Sequence, residues 1–432
     1  MQYLIIGNSA AGLNAAEAIR LRDREGHVTI VSAENYPAYS RCLIPYFMEG
    51  KVSEEDMLYR PKDYYTANRF EPLLGRTAAS IQPAEKSVTL ENGERLSYDK
   101  LLIATGGSPE IPDTPGMDKE GVFGFRTTMD MKGILAAAKT ADSAIVLGGG
   151  CVGLMAACGL HSMGLRVTVV IRSPHLLSQV ADAEAGEIFR RRFEANGVSV
   201  ITETDVVEVR GDKKAEGAKL ENGRELHCGI IVVGKGVNPN IGLVANTDIR
   251  THWGILVDDE LRSSVSDVFA AGDVAETTDI VTGRATVNAI WPAAAEQGRV
   301  AGGNMAGDYA KYPGSMRMNS AEFFGLPLIS TGLVKPKNPA EYEILTRHVA
   351  EKNIFRKVVL QDNVVVGAVM VGEIENAGVF AALMRKKVDV SSVKDRLLDT
   401  DFGFGSVLHL VAEQKDKFTE PEYREAMLCA SD

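Results

Sequence analysis

Apolar runs that stop at glycine-rich turns, each followed by a stretch of helical period, recur along the chain. Tyr3-Leu4-Ile5-Ile6 ends at Gly7, and Leu13 to Ile19 then carries apolar and small residues at helix spacing. With strands near 2–6 and 28–32 this predicts a βαβ unit. A Pro/Tyr-rich loop follows over 36–46, then a hairpin-like pair around Asn92-Gly93, then a strand from Lys100 to Thr105 that ends at Gly106-Gly107. Pro109 to Pro115 reads as a hinge. A second unit begins at about 144 and repeats the order: strand, glycine turn, helix, strand at Arg166–Val170, amphipathic helix over about 182–196, hairpin at Asn222-Gly223, and the run Ile230–Val233 leaving through Gly234-Lys235-Gly236. The two halves therefore read as a degenerate duplication. From about 253 the chain returns to the first unit. From about 311 it changes texture, with alternating apolar runs such as Val364–Val371 followed by helices.

The predicted fold class is α/β, with two doubly wound Rossmann-like nucleotide domains and a C-terminal α+β domain. The boundaries are 1–113 with 253–310, 114–252, and 311–432. A chain of 432 residues is too long for one ordinary core. At 45% apolar and 24% charged it has the composition of a water-soluble globular protein. The net charge of −11 argues against nucleic acid or an anionic membrane as a partner. No apolar run approaches the length that spans a bilayer, and strand and turn begin at once, which leaves no room for a signal peptide. Five cysteines (Cys42, Cys151, Cys158, Cys228 and Cys429) are scattered without a C-x-x-C pair. His161, His175 and His252 show no ligand spacing, so no metal is expected. A reduced, cytoplasmic protein fits best.

The chemistry lies in the turns. Gly7-Asn8-Ser9-Ala10-Ala11-Gly12 and Gly148-Gly149-Gly150-Cys151-Val152-Gly153 each join a buried strand to a helix start. There, main-chain N–H groups hold a pyrophosphate, and missing side chains permit close approach. The first turn has Ser9 in place of the middle glycine. The strand after it ends at Ser32, with Glu34 two residues beyond the usual ribose-binding acid. The second turn keeps all three glycines, yet its next strand runs into Ile171-Arg172 where NAD sites usually carry Asp or Glu. Arg172 is suited to pairing with a 2′-phosphate. That predicts NADPH use at least equal to NADH.

Gly7–Gly12, Ala104–Gly107, Gly148–Gly153 and Ala270-Ala271-Gly272-Asp273 fall in the order of the FAD-dependent pyridine-nucleotide disulfide oxidoreductase superfamily, which the whole chain resembles. The resemblance implies FAD and NAD(P)H as cofactors. Asp273 then hydrogen-bonds the ribityl and phosphate end of FAD, and Ala104, Thr105, Gly106 and Gly236 lie where the family's chain approaches its nucleotides. The segment from Tyr36 to Tyr46 is similar to two branches. Coenzyme A-disulfide reductases and NADH oxidases carry a cysteine where Cys42 stands, but Ala38 and Arg41 replace the serine and asparagine of that pattern. Ferredoxin and rubredoxin reductases carry Arg then Pro, with a lysine about ten residues on; Arg41 and Lys51 match, as residues steadying the flavin end. Arg41 is also expected to favour a Cys42 thiolate.

Asn288–Gly298 and Asn319–Pro327 are similar to FAD–NAD oxidoreductases that accompany iron–sulfur proteins, such as those beside carbon monoxide dehydrogenase or serving tungsten aldehyde oxidoreductases. In that setting Trp291, Glu296 and Gln297 line the flavin's pyrimidine side and the mouth toward an acceptor. Met155 stands where many relatives have a glutamate, and Ser178 where NADPH-specific glutathione reductases have a second arginine. Arg190-Arg191-Arg192 is either a solvated face or a landing patch for an acidic ferredoxin. The first expectation is electron exchange between NAD(P)H and a ferredoxin-like iron–sulfur protein or subunit. Two alternatives stand beside it: an oxidase, peroxidase or disulfide reductase working through Cys42, and a flavin subunit of a larger complex. A homodimer built by the C-terminal domain, or a hetero-oligomer, is implied by relatives.

Overall fold

The computed structural model describes residues 1–418; Cys429 lies outside them. Two units emerge. One comprises Met1–Glu110, Arg126–Met131 and Gly236–Ser315; the other comprises Ile111–Phe125, Lys132–Lys235 and the chain from Met316 onward.

The first unit is built on a five-stranded parallel sheet in the order Val268–Ala270, Lys100–Ile103, Gln2–Ile6, His27–Ser32, Phe70–Leu74. Both faces are covered, which is why its strands read as unbroken apolar runs. On one face Leu13, Ala16 and Ile19 of the helix Ala10–Arg22 and Ala301 and Met305 of the helix Trp291–Met305 pack on Ile5, Ile30 and Leu102. On the other, Leu4, Val31 and Leu101 meet Val88, Leu90 and Ile255. The predicted Asn92-Gly93 turn joins Ser87–Leu90 to Arg95–Ser97, with Gly93 at φ +85°.

The second unit repeats this plan. Its parallel sheet runs Ser199–Ile201, Arg166–Val170, Ser143–Leu147, Ile230–Val233, Val122–Phe123. Four of its strands correspond one for one with those of the first sheet. The fifth does not: it precedes the other four in the second sheet and follows them in the first. The Asn222-Gly223 turn again makes a hairpin, between Gly217–Leu220 and Glu225–His227, with Gly223 at φ +83°. The predicted amphipathic helix spans Ala183–Ala195.

From Met318 a five-stranded antiparallel sheet forms in the order Met318–Phe323, Leu326–Gly332, Val364–Val371, Ile354–Gln361, Glu343–Val349, followed by helices Ala377–Lys386 and Phe404–Glu413. Strand Ile354–Gln361 is buried from Ile354 to Leu360, two cations included. Arg356 survives burial by donating to the carbonyls of Asp399 and Thr400 at 2.6 and 3.3 Å. Lys357 pairs with Asp182 at 2.8 Å. Among the described residues no helix is long and apolar enough to cross a membrane.

Candidate functional site

At the end of strand Gln2–Ile6 the backbone must turn sharply into a helix. Gly7 does so at φ +133°, and a Cβ there would lie 2.1 Å from the Ala104 carbonyl oxygen. A Cβ on Gly12 would lie 1.9 Å from the Gly7 oxygen. Only glycine serves at either place. Ser9 is the N-cap residue but makes no side-chain cap bond, so the first-turn N–H groups, in the segment holding Ala10 and Ala11, are not consumed by it. Ser32, at the edge of the next strand, is buried.

Asp273 is brought to this turn by close helix packing. On helix Trp291–Met305, Cβ atoms at Gly298 and Gly302 would stand 2.1 and 2.2 Å from the carbonyl oxygens of Ala11 and Ala15, so the two helices touch backbone to backbone. Gly272, at φ +82°, abuts Ala11, and its N–H donates to Gln297 Oε1 at 2.7 Å. Gln297 is 1% exposed. It braces the Asp273 turn from within the protein. Glu296 and Trp291 are half-buried on the same helix, Trp291 edge-on to Tyr59 at 4.9 Å.

The Asp273 carboxylate meets a residue that carries no motif. Arg126 Nη2 donates to Asp273 Oδ2 at 2.6 Å, and Gly106 (φ +68°) leaves room beside that guanidinium. Thr105 and Gly236, at φ +139°, lie in the same unit, Thr105 Oγ donating to the Asn240 carbonyl at 3.0 Å. Tyr39 is a second missed residue. Its hydroxyl donates to Glu34 Oε2 at 2.7 Å and accepts from Arg41 Nη1 at 2.9 Å and the Thr128 N–H at 3.0 Å. Arg41 also pairs with Glu34 Oε1 and donates to the Arg126 carbonyl at 3.1 Å. Burial, foremost, drives the Tyr39 phenol far above its ordinary pKa, so it stays neutral.

Arg41 thus does not serve the Cys42 thiol, contrary to the expectation above. Cys42 is an exposed residue in the 3₁₀ turn Arg41–Leu43. Desolvation is the largest influence on its thiol and pushes it up, nearby Asp273 adds to that, and Ser40 and Arg126 oppose it. The group is held as a thiol, not primed as a thiolate. Lys51 is exposed, pairing with Glu49 at 2.6 Å and lying 5.6 Å over the Tyr46 ring.

The second turn is formed the same way. Gly148 sits at φ +123°, where a Cβ would lie 2.2 Å from the Gly234 oxygen, and one on Gly153 would lie 2.1 Å from the Gly148 oxygen. Gly149 is close against Ile171, whereas Gly150 faces open space at the N-cap of helix Cys151–Ser162. Val152 is exposed on that helix. Burial pushes the Cys151 thiol up to about 11, as suits a packing residue. Arg172 is 74% exposed, with Nη2 3.2 Å from both Asp205 Oδ2 and Glu221 Oε1. Two of the three arginines are already paired: Arg190 with Glu187 and Glu194 at 2.7 and 2.8 Å, Arg191 with Glu187 at 2.9 Å. The charge of those two is therefore offset, which weakens the run as a landing patch.

Each unit thus presents a parallel sheet, a turn whose first and last glycines leave no room for a Cβ, and a helix start beyond it; the first adds a carboxylate, suited to ribityl hydroxyls. These donor sets fit two dinucleotides, one of them a flavin, and define a flavin- and nicotinamide-dependent oxidoreductase. The chain belongs to the pyridine nucleotide-disulphide oxidoreductase family, whose model matches residues 1–298; residues 318–388 match the rubredoxin NAD+ reductase C-terminal domain. It is an enzyme that uses FAD and NAD(P)H. Over 409 residues it is 33% identical to the NADH-dependent phenylglyoxylate dehydrogenase subunit epsilon of Aromatoleum evansii, covering 94% of this chain and 96% of that one. It is 31% identical to the nitrite reductase [NAD(P)H] of Bacillus subtilis over 90% of its own length but spans only 48% of that protein. The structure of an NAD-dependent persulfide reductase from A. fulgidus superposes with a TM-score of 0.85 at 26% identity, covering 91% of this chain and 79% of that one.

Proposed function

We propose that this chain is the flavin-bearing electron-transfer component of an iron–sulfur redox system, passing electrons between NAD(P)H and a ferredoxin-like protein or subunit. The observation that carries this reading is the end-to-end match with a subunit of an NADH-dependent dehydrogenase. The rubredoxin reductase C-terminal match supports it, as does a Cys42 thiol whose surroundings disfavour ionisation. We assign FAD to residues 1–113 with 253–310, and the nicotinamide nucleotide to 114–252. The flavin supplies the conversion between a hydride pair and single electrons. The chain's own residues bind and orient: Gly7–Gly12 offers N–H donors to the pyrophosphate, Asp273 accepts from ribityl hydroxyls, and Gly148–Gly153 cradles the second pyrophosphate. Arg126 holds Asp273 in place, and Tyr39, Glu34 and Arg41 stiffen the adjoining loop. The four cysteines among the described residues are all free, which accords with a reducing compartment such as the cytoplasm.

One observation favours a second reading. Cys42 is exposed and lies within electrostatic reach of Asp273 and Arg126, and the superposable A. fulgidus enzyme is named a persulfide reductase. Two-electron chemistry on sulfur, peroxide or oxygen would run through that thiol. The purified holoprotein and its Cys42→Ser variant separate the two. We expect NAD(P)H-driven reduction of ferredoxin or a one-electron dye to persist in the variant. A loss beyond about tenfold, equal to about 1.4 kcal/mol of barrier, with FAD still bound, transfers the assignment to the thiol reading. Recovery of an iron–sulfur subunit with the tagged protein supports a larger complex.

A further inference from the structure

We propose that Glu221 and Asp205, acting on Arg172, make the second cradle a site for NADH that turns NADPH away; this rests on Gly148–Gly153 being the nicotinamide cradle. In a βαβ dinucleotide unit the residue closing the second strand, about 20 positions after the first glycine, meets the adenosine ribose. Here that strand is Arg166–Val170, and the residues closing it, Ile171 and Arg172, carry no carboxylate.

The fold supplies the carboxylates from elsewhere. Asp205 follows the neighbouring strand Ser199–Ile201, and Glu221 is at the tip of the hairpin after Gly217–Leu220. Backbone bonds fix both. The Thr204 N–H donates to the Ile171 carbonyl at 3.2 Å, and the Glu221 N–H donates to the Asp205 carbonyl at 2.9 Å. Their carboxylates then meet the Arg172 guanidinium at 3.2 Å each. Lys235 completes the group, donating to Asp205 Oδ1 at 2.6 Å.

Two cations and two carboxylates sum to zero. A 2′-phosphate brings about −1.5 to −2 charges and finds no net attraction. To reach Arg172 it must displace the Glu221 carboxylate and then sit beside it. A 2′-hydroxyl is a neutral donor that needs an acceptor, and Glu221, 45% exposed, presents one. At Ser178 itself, Lys335 is committed to that residue's carbonyl at 2.7 Å. The charge that would favour NADPH is present in the sequence and cancelled in the fold.

The test uses the holoprotein, its flavin site filled, and calorimetric binding of ADP-ribose against 2′-phospho-ADP-ribose. Wild type is expected to bind ADP-ribose at least tenfold more tightly. Glu221→Gln frees Arg172 for the phosphate. A charge-assisted bond there spans roughly ten- to a hundredfold, and at so exposed a side chain the lower end applies, narrowing the ratio about tenfold. Equal affinities in wild type, or a ratio unmoved in Glu221→Gln, overturn the proposal. Gly150→Asp is the separate control for the cradle, since it puts a side chain and charge where a pyrophosphate belongs. If Gly150→Asp loses both ligands while Glu221→Gln leaves the ratio unchanged, selectivity alone is misassigned. If Gly150→Asp keeps both, the cradle reading fails.

Discussion

Replacing Gln297 by leucine removes the acceptor of the Gly272 N–H without opening a large cavity, because the two side chains are similar in volume. The donor stays where it is, in a turn packed against Ala11 and 2.7 Å from an oxygen that no longer exists. A buried N–H left unpaired costs about 1–3 kcal/mol. Asp273 is the next residue, so the turn escapes the penalty by relaxing in the direction that misplaces its carboxylate. The free energy should therefore appear in flavin affinity, where 1–3 kcal/mol corresponds to roughly 5- to 150-fold. The assay is titration of apoprotein with FAD by quenching of flavin fluorescence, beside thermal melts of apo and holo forms. We expect weaker FAD binding by at least fivefold and a holo form that melts lower, with secondary structure intact. If affinity stays within twofold and the holo melt is unmoved, the Gly272–Gln297 bond does not organise the flavin site, and the bracing argument falls.

Asp273→Ala should be more severe, because it deletes the ribityl acceptor and leaves Arg126 without its carboxylate partner; protein that still purifies with one flavin per chain would remove Asp273 from the site. Gly298→Ala inserts a Cβ 2.1 Å from the Ala11 oxygen, so overpacking of about 1–3 kcal/mol should outweigh the roughly 1 kcal/mol gained in helix propensity, and a melting temperature that rises would disprove the tight helix contact. Because desolvation by its surroundings raises the Cys42 pKa, less thiolate is present at any given pH; iodoacetamide should react at pH 7.5 more slowly than with a free thiol, with the inflection above about 8.5, and an inflection below that value contradicts the environment described. Lys357→Met abandons the Asp182 carboxylate, a quarter exposed and with Oδ2 otherwise unpaired; a loss of about 1–3 kcal/mol is expected, below the full cost of a deeply buried pair, and Asp182→Ala added to it should recover part of that.

The strands, both glycine turns and both Asn-Gly hairpins were readable because each is coded locally, by period and by residues that tolerate positive φ. The site was readable only where a motif is contiguous. Arg126 sits in Phe125-Arg126-Thr127-Thr128, a stretch with no signature, and meets Asp273 across a large sequence separation. Tyr39 passed for loop composition, although Glu34, Tyr39 and Arg41 at short spacing are an acid, a hydroxyl and a base within reach of one another. Arg172 shows the limit most clearly. Its type and position pointed to phosphate, but Asp205 and Glu221 arrive through strand and hairpin register, which nothing near residue 172 encodes. Gln297 belongs in the sequence to a group with Trp291 and Glu296, but helix phase buries it against the Gly272 N–H.

The placement of the fifth strand of the first sheet has a consequence for how the protein is made. Gly7–Gly12 is made well before Val268–Ala270, the Asp273 turn and the helix that clamps Ala11, which come after the entire inserted repeat. At synthesis rates of about 5–20 residues per second, the gap between Ile103 and Val268 lasts roughly 10–30 s. Through that interval the edge of strand Lys100–Ile103 has no partner, whereas the sheet of the second unit has all five of its strands by Val233. On the proposed assignment of FAD to the first unit, flavin capture is a late event in the life of the nascent chain, and cells short of riboflavin should accumulate a species in which the second repeat resists protease and the first does not.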